Sequence, residues 1–186
     1  RLPFSPTSAI PVFWWPRLRS NLESSDMPLK RIQYSNDGTF GNSIETEWYL
    51  ARVLGIKEPY GVDSTMMLDM YSKRGIGAGA NVDYKREKYF GNINGYIIND
   101  RGKDDLGRDR KNIEPDQNLR GMLNFQHRQF LPEHWQLTLE SSYISDETFL
   151  EAYRREEFFQ SRGNETSVHL KWIKDNQAFA MLGRWR

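Results

Sequence analysis

Histidine is the first residue type to test for chemistry, because imidazole holds metals and moves protons near neutral pH. The chain has three: His127, His134 and His169. None stands in a HExxH pair or another ligand spacing, so each reads as structural. No GxSxG is present, which leaves a nucleophile elbow without support. Gly75-Ile76-Gly77-Ala78-Gly79 invites comparison with a phosphate loop. Its glycines, however, recur at every second residue inside an alternating stretch, not as GxGxxG ahead of a helix. Small residues in that setting let a sheet bend or a neighbour approach. Asp104, Asp105 and Asp109 offer carboxylates to calcium but lack EF-hand spacing, and a solvated loop is the better reading. Arg101, Lys103, Arg108, Arg110 and Lys111 in the same loop are candidates to meet lipid phosphates. Trp14 and Trp15 are candidates to grip acyl chains, or simply to pack, at a domain junction. No residue is expected to be catalytic, to hold a cofactor or to ligate a metal.

The elements that must carry these residues show best in residues 62–99, VDSTMMLDMYSKRGIGAGANVDYKREKYFGNINGYIIN. Val62, Ser64, Met66, Leu68 and Met70 alternate with Asp63, Thr65, Met67 and Asp69. After a turn at Ser72-Lys73-Arg74-Gly75, Ile76, Ala78, Ala80, Val82 and Tyr84 alternate with Gly77, Gly79, Asn81, Asp83 and Lys85. Past Arg86-Glu87-Lys88 the parity flips, and Tyr89, Gly91, Ile93, Gly95 and Ile97 oppose Asn92, Asn94 and Asp100. Successive side chains of a strand point to opposite faces, so this is a β-meander with one apolar and one polar face. The three- and four-residue spacing of an amphipathic helix is missing.

The same pattern extends outward. Ile10 to Pro16 reads as a short strand bounded by prolines, suited to an edge. Residues 17–28 read as a linker. Leu29 to Ser35 and Ser43 to Leu54 are expected strands, the second carrying Glu45 and Glu47 opposite Ile44, Thr46 and Trp48. Residues 100–117 have no apolar period and read as a charged loop. Leu119, Gly121, Leu123 and Phe125 then oppose Arg120, Met122, Asn124, Gln126 and Arg128. Trp135, Leu137, Leu139 and Tyr143 oppose Gln136, Thr138, Glu140 and Ser142. Residues 145–165 form a second long polar segment, partly helical around 147–156. Val168, Leu170 and Trp172 begin a last hairpin that turns at Asp175-Asn176.

These are eight or nine strands of roughly nine to eleven residues, long enough to cross a bilayer when tilted. Short connections fall at one end and both long loops at the other, as in outer-membrane barrels. The polar face carries Glu45, Glu47, Asp63, Asp69, Asn81, Asp83, Asn92, Asn94, Arg120, Asn124 and Glu140, which suit a water-filled lumen. The apolar face carries Tyr84, Tyr89, Trp135, Tyr143 and Trp172 near strand ends, as interfacial girdles do. A soluble up-and-down barrel or β-sandwich can alternate in the same way and stays open on this pattern alone.

Composition bounds the class. The 186 residues suit one domain, and 26 Lys plus Arg against 25 Asp plus Glu give a net charge of +1, with no basic excess that points to nucleic acid. Cysteine is absent, so redox compartment is unreadable. Mean hydropathy is -0.77, and no apolar run is long enough for a transmembrane helix. The start at Arg1, with no basic-then-apolar leader, suggests a fragment or a mature piece.

Five ordered motifs resemble one family. Ile10-Pro11-Val12-Phe13-Trp14-Trp15-Pro16 resembles the PVFYLPY segment of the lipopolysaccharide-assembly outer-membrane proteins, the LptD family, also called OstA or Imp. Gln33-Tyr34-Ser35-Asn36-Asp37-Gly38 is similar to the opening of that family's barrel, and Met70-Tyr71-Ser72-Lys73-Arg74-Gly75 to its RYMSKRG hairpin. Asn124-Phe125-Gln126-His127-Arg128-Gln129 resembles WQHRQ, and Tyr143 to Leu150 resembles YVSDxxYL. The resemblance implies a large transmembrane β-barrel of the Gram-negative outer membrane, plugged by an LptE-like lipoprotein. It also implies a periplasmic jelly roll that receives lipopolysaccharide from an LptA-like bridge and passes it to the outer leaflet. On that reading residues 1–16 end the jelly roll and residues 29–186 supply the first strands of an incomplete barrel, set among outer-membrane lipids. The chain departs from the family in lacking a proline within Ile44-Glu45-Thr46-Glu47-Trp48 and in lacking the cysteines that tie the two domains. Another outer-membrane barrel, a porin or a barrel hydrolase, and a soluble β-sandwich binding module are the competing readings.

Overall fold

A computed structural model describes residues 20–21, 27–107, 109–154 and 165–185. The expected strand at Ile10 to Pro16, with Trp14 and Trp15, lies outside the described residues, as does Arg108. The fold is all-β: the described residues form ten strands in one open antiparallel sheet whose spatial order is their chain order. They are β1 (Ser20–Asn21), β2 (Leu29–Asp37), β3 (Gly41–Tyr49), β4 (Val62–Tyr71), β5 (Gly75–Lys85), β6 (Tyr89–Asp100), β7 (Leu119–Leu131), β8 (Trp135–Ile144), β9 (Thr166–Lys174) and β10 (Gln177–Trp185). Two single-turn helices interrupt them, α1 (Leu50–Val53) and α2 (Phe149–Tyr153). β1 and β10 are the two edges of the described sheet.

Because every neighbour is antiparallel, the connections sort by end without exception. The β3–β4, β5–β6, β7–β8 and β9–β10 connections leave from one end, and the β2–β3, β4–β5, β6–β7 and β8–β9 connections from the other. Register then fixes which residues share a face. Thr46 pairs with Leu68, Leu68 with Ala78, Ala78 with Ile97 and Ile97 with Gly121. One residue along, Glu45 pairs with Asp69, Asp69 with Gly77, Gly77 with Ile98 and Ile98 with Arg120. A slip of one residue would exchange the two faces, so these ladders decide everything about the surface.

The glycines of β5 make room for one aromatic ring. A Cβ on Gly77 would collide with the hydroxyl end of Tyr96, and one on Gly79 would lie 2.8 Å from the same ring. Tyr96, 3% exposed, lies across both and donates its hydroxyl to Asp69 at 2.9 Å. The alternating glycines thus serve close approach and not phosphate binding.

Three sequence expectations are corrected. The strand expected to run to Leu54 stops at Tyr49, where pairing with β4 ends at Thr65. With no partner strand, the chain satisfies itself in α1, Leu54 N–H donating to the Leu50 carbonyl at 3.0 Å and Ile56 N–H to that of Ala51 at 2.9 Å. Ser20 and Asn21, within the expected linker, pair with Ile32 and Arg31 of β2. The loop 101–118 is not uniformly solvated: Leu106 is buried, and Asp104 forms a β-bridge with Ile113.

Substituting Gly77→Val should destabilise the fold by about 1–3 kcal/mol, the usual cost of overpacking. In a Tyr96→Ala background the same change should cost clearly less. Urea unfolding of the four-member cycle checks this; equal costs in both backgrounds would refute the packing account.

Candidate functional site

All eleven polar residues singled out from the alternation fall on one face of the sheet: Glu45, Glu47, Asp63, Asp69, Asn81, Asp83, Asn92, Asn94, Arg120, Asn124 and Glu140. Several are joined. The Asn92 amide donates to Asn81 at 2.9 Å and to Asp83 at 2.8 Å, and Asn81 donates to Asp83 at 2.6 Å. Ser142 donates to Asn124 at 2.6 Å. Glu47 is paired with Lys30 at 2.9 Å and Arg31 at 3.4 Å. Asp63, Asp83 and Glu140 are exposed.

Towards the long-loop end the same face is covered. Phe149 and Leu150 of α2 pack on Tyr71, Tyr96, Ile98 and Met122, flanked by Phe40, Ile144 and Tyr153. Phe149 and Ile98 are fully buried. Arg120 therefore shares the polar face but does not face open space, correcting the expectation that it lines water. Its guanidinium is buried and donates to Asp100 at 2.8 Å, to Asp104 at 3.0 Å, to Asp146 at 2.8 Å and to the Thr148 hydroxyl at 2.9 Å. Arg74 joins the cluster through Asp104 and through Asp100 at 3.1 Å, and donates to the Tyr153 hydroxyl at 3.1 Å. Tyr153 in turn donates to Asp100 at 2.8 Å. Two guanidinium groups thus face three carboxylates out of water, an arrangement tolerated only because nearly every polar atom is hydrogen-bonded.

The loop acids hold their protons weakly. Burial alone would raise Asp104, but hydrogen bonds from Arg120, Thr148 and Arg74 outweigh it and carry its pKa below the ordinary carboxylate value. Asp146 is lowered likewise, burial being outweighed by Arg120 and Ser145. Burial pushes the Tyr153 phenol up, so it stays a donor.

The opposite face is bare. Leu68, Met70, Ile76, Ile97, Leu119 and Leu123 are all exposed, Ile76 by 64%. The aromatic residues noted at strand ends lie on this face, most of them as a band at the short-turn end. Tyr84 stands 6.2 Å from Tyr89 and 5.9 Å from His127, and Trp135 stands 6.2 Å from Trp172 and 6.1 Å from Phe179. Tyr143 is at the other end. His127 shares a 2.8 Å hydrogen bond with the Tyr84 hydroxyl. His169 is on the polar face and His134 in a turn. Among the described residues no group of three or more His, Cys, Asp or Glu is arranged to hold a metal.

Sequence reasoning missed the cluster of Arg74, Asp100, Asp104, Asp146, Thr148 and Tyr153. Its only trace was that two of the quoted motifs, Met70 to Gly75 and Tyr143 to Leu150, each contribute a charged member. No protein-family model matches the chain, and no curated protein matches it.

Replacing Arg120 with Met leaves Asp146 without its guanidinium and Asp100 and Asp104 sharing Arg74 alone, and should destabilise the covered end by about 3–5 kcal/mol. Proteolysis within 101–118 should accelerate accordingly, and an unchanged cleavage rate would refute the assignment. The folded pKa values of Asp104 and Asp146 lie below the unfolded value of about 3.9. Their stabilisation is therefore complete above that value and is lost as pH falls through the depressed folded values. Amide exchange of Thr148, which donates to Asp146 at 3.2 Å, should stay protected at pH 5 and lose protection only in strong acid.

Proposed function

We propose that the chain forms part of an outer-membrane β-barrel that transports lipopolysaccharide to the outer leaflet. The observation that carries the membrane reading is the uncovered aliphatic face. Leaving a Leu or Ile in water forgoes about 1.5–3 kcal/mol of burial free energy each, and hydrocarbon removes that penalty. Strands β2 to β10, of 9 to 13 residues, an aromatic band at one end and the two longest loops at the other all fit the same solvent. No helix among the described residues is long and apolar enough to span a membrane, which says nothing about strands.

The transport step rests on the ordered sequence motifs. In that reading the sugars and phosphates of lipopolysaccharide pass along the polar face of Asn81, Asp83, Asn92, Asn94 and Asn124. A lipoprotein plug shares the enclosed space, and a jelly-roll bridge supplies the acyl chains. The protein acts as a passage and not as an enzyme, with energy supplied elsewhere.

Spin labels at Leu68, Val82 and Leu123 should report oxygen-rich hydrocarbon, and labels at Asp83, Asn92 and Asn124 should report a water-soluble relaxant. No contrast between the two sets would end the membrane reading. Depletion of the full-length protein should lower lipopolysaccharide at the cell surface, and undiminished surface display would exclude transport.

A further inference from the structure

The short-turn end carries a concavity at the margin between the two faces, where Lys85 belongs to the polar set of β5 and Tyr89 to the aliphatic set of β6. Its volume is about 680 Å³, and Tyr60, Gly61, Lys85, Arg86, Glu87, Lys88 and Tyr89 line it. The loop before β4 and the β5–β6 turn build it together. Lys85 N–H donates to the Gly61 carbonyl at 2.7 Å, and Arg86 N–H to the Tyr89 carbonyl at 2.7 Å. Gly61 has φ +62°, and a Cβ there would collide with the Lys85 carbonyl, so glycine is what lets the two segments touch.

Three cations stand there against one carboxylate, Glu87. None of Lys85, Arg86 and Lys88 forms an ion pair among the described residues. Arg86 is held with its guanidinium 5.3 Å from the centre of the Tyr60 ring, which orients its donors and limits the entropy lost on binding an anion. Tyr89 and Tyr84 sit beside it on the aliphatic face. A compact anion with apolar chains attached matches this layout: phosphate on the cations, chains along Tyr84, Tyr89 and Ile93.

We propose that Arg86 and Lys88 form a binding site for the phosphate headgroup of an anionic phospholipid in the leaflet at the short-turn end, with Lys85, at the polar margin of the same concavity, adding to its positive field. The site rests on the membrane reading above. It differs from the transported glycolipid in position, because it lies at the end opposite the long loops.

The test uses the full-length protein reconstituted in phosphatidylethanolamine vesicles with and without phosphatidylglycerol, then extracted in mild detergent for native mass spectrometry. The wild type should retain phosphatidylglycerol at least tenfold over phosphatidylethanolamine. The triple variant Lys85→Gln, Arg86→Gln, Lys88→Gln should lose that preference, while Lys85→Arg, Lys88→Arg keeps it and shows that the turn still folds. Lys73→Gln with Arg101→Gln, at the other end, should leave it intact. Flotation of the same samples reads the premise separately. A chain that floats yet keeps its preference in the triple variant overturns the site and leaves the membrane reading standing. A chain that does not float overturns both. Displacement of phosphatidylglycerol by millimolar inorganic phosphate would show that free phosphate, not lipid, is the ligand, and would overturn the proposal.

Discussion

Arg120 is the joint between the sheet and its loops. It stands on the polar face of β7, 1% exposed, and its donors reach Asp100 at the end of β6, Asp104 in one long loop, and Asp146 and Thr148 in the other. A buried guanidinium without those acceptors would be strongly destabilising, so the loops and the strand require one another. Arg74 repeats the device from the β4–β5 turn and stacks 5.2 Å from Phe40 and 5.3 Å from Tyr153. The consequence is that α2 is pinned over Tyr71, Tyr96 and Met122, and one end of the polar face is closed by protein.

That closure gives the sheet two unlike solvents on one side. Near the long loops the polar face is a packed, ion-paired interior. Towards the short turns it is an amide and carboxylate ladder with Asp63, Asp83 and Glu140 in the open. The other side is apolar through its middle, with Asn36, Asn42, Asn99 and Gln129 near the strand ends, and lacks any covering layer among the described residues. A sheet needs a partner layer, lipid or otherwise, for an apolar face, and the absence of one is the physical basis for the membrane proposal. The aromatic band adds polarity mainly at the short-turn margin, where hydroxyl and indole groups meet the turns.

The two sequence readings of charged segments came out differently. Asp104, read as solvated, is fully buried. Arg86 and Lys88 of the β5–β6 turn line a concavity with Lys85, Tyr60 and Tyr89. Composition was equally polar in both. What separated them was whether an opposite charge from another element arrived at the same place.

How much was legible follows from the range of each interaction. Period-two alternation is local, because adjacent side chains of a strand must point to opposite faces. Hence the meander, the sorting of its turns and the shared face of Asp69, Asn81, Asn92 and Asn124 could be read from residue order. The single turn of helix at Phe149–Tyr153 was foreshadowed within 147–156 for the same reason. The end of β3 at Tyr49 could not be read, since it depends on where β4 stops pairing. Nor could the cluster: Arg120 meets Asp104 across 16 residues, Asp100 across 20 and Asp146 across 26. Alternation told only that Arg120 belongs to the polar face. Whether that place holds water or three carboxylates is decided by how two long loops fold back, and no local pattern encodes a meeting of segments so far apart.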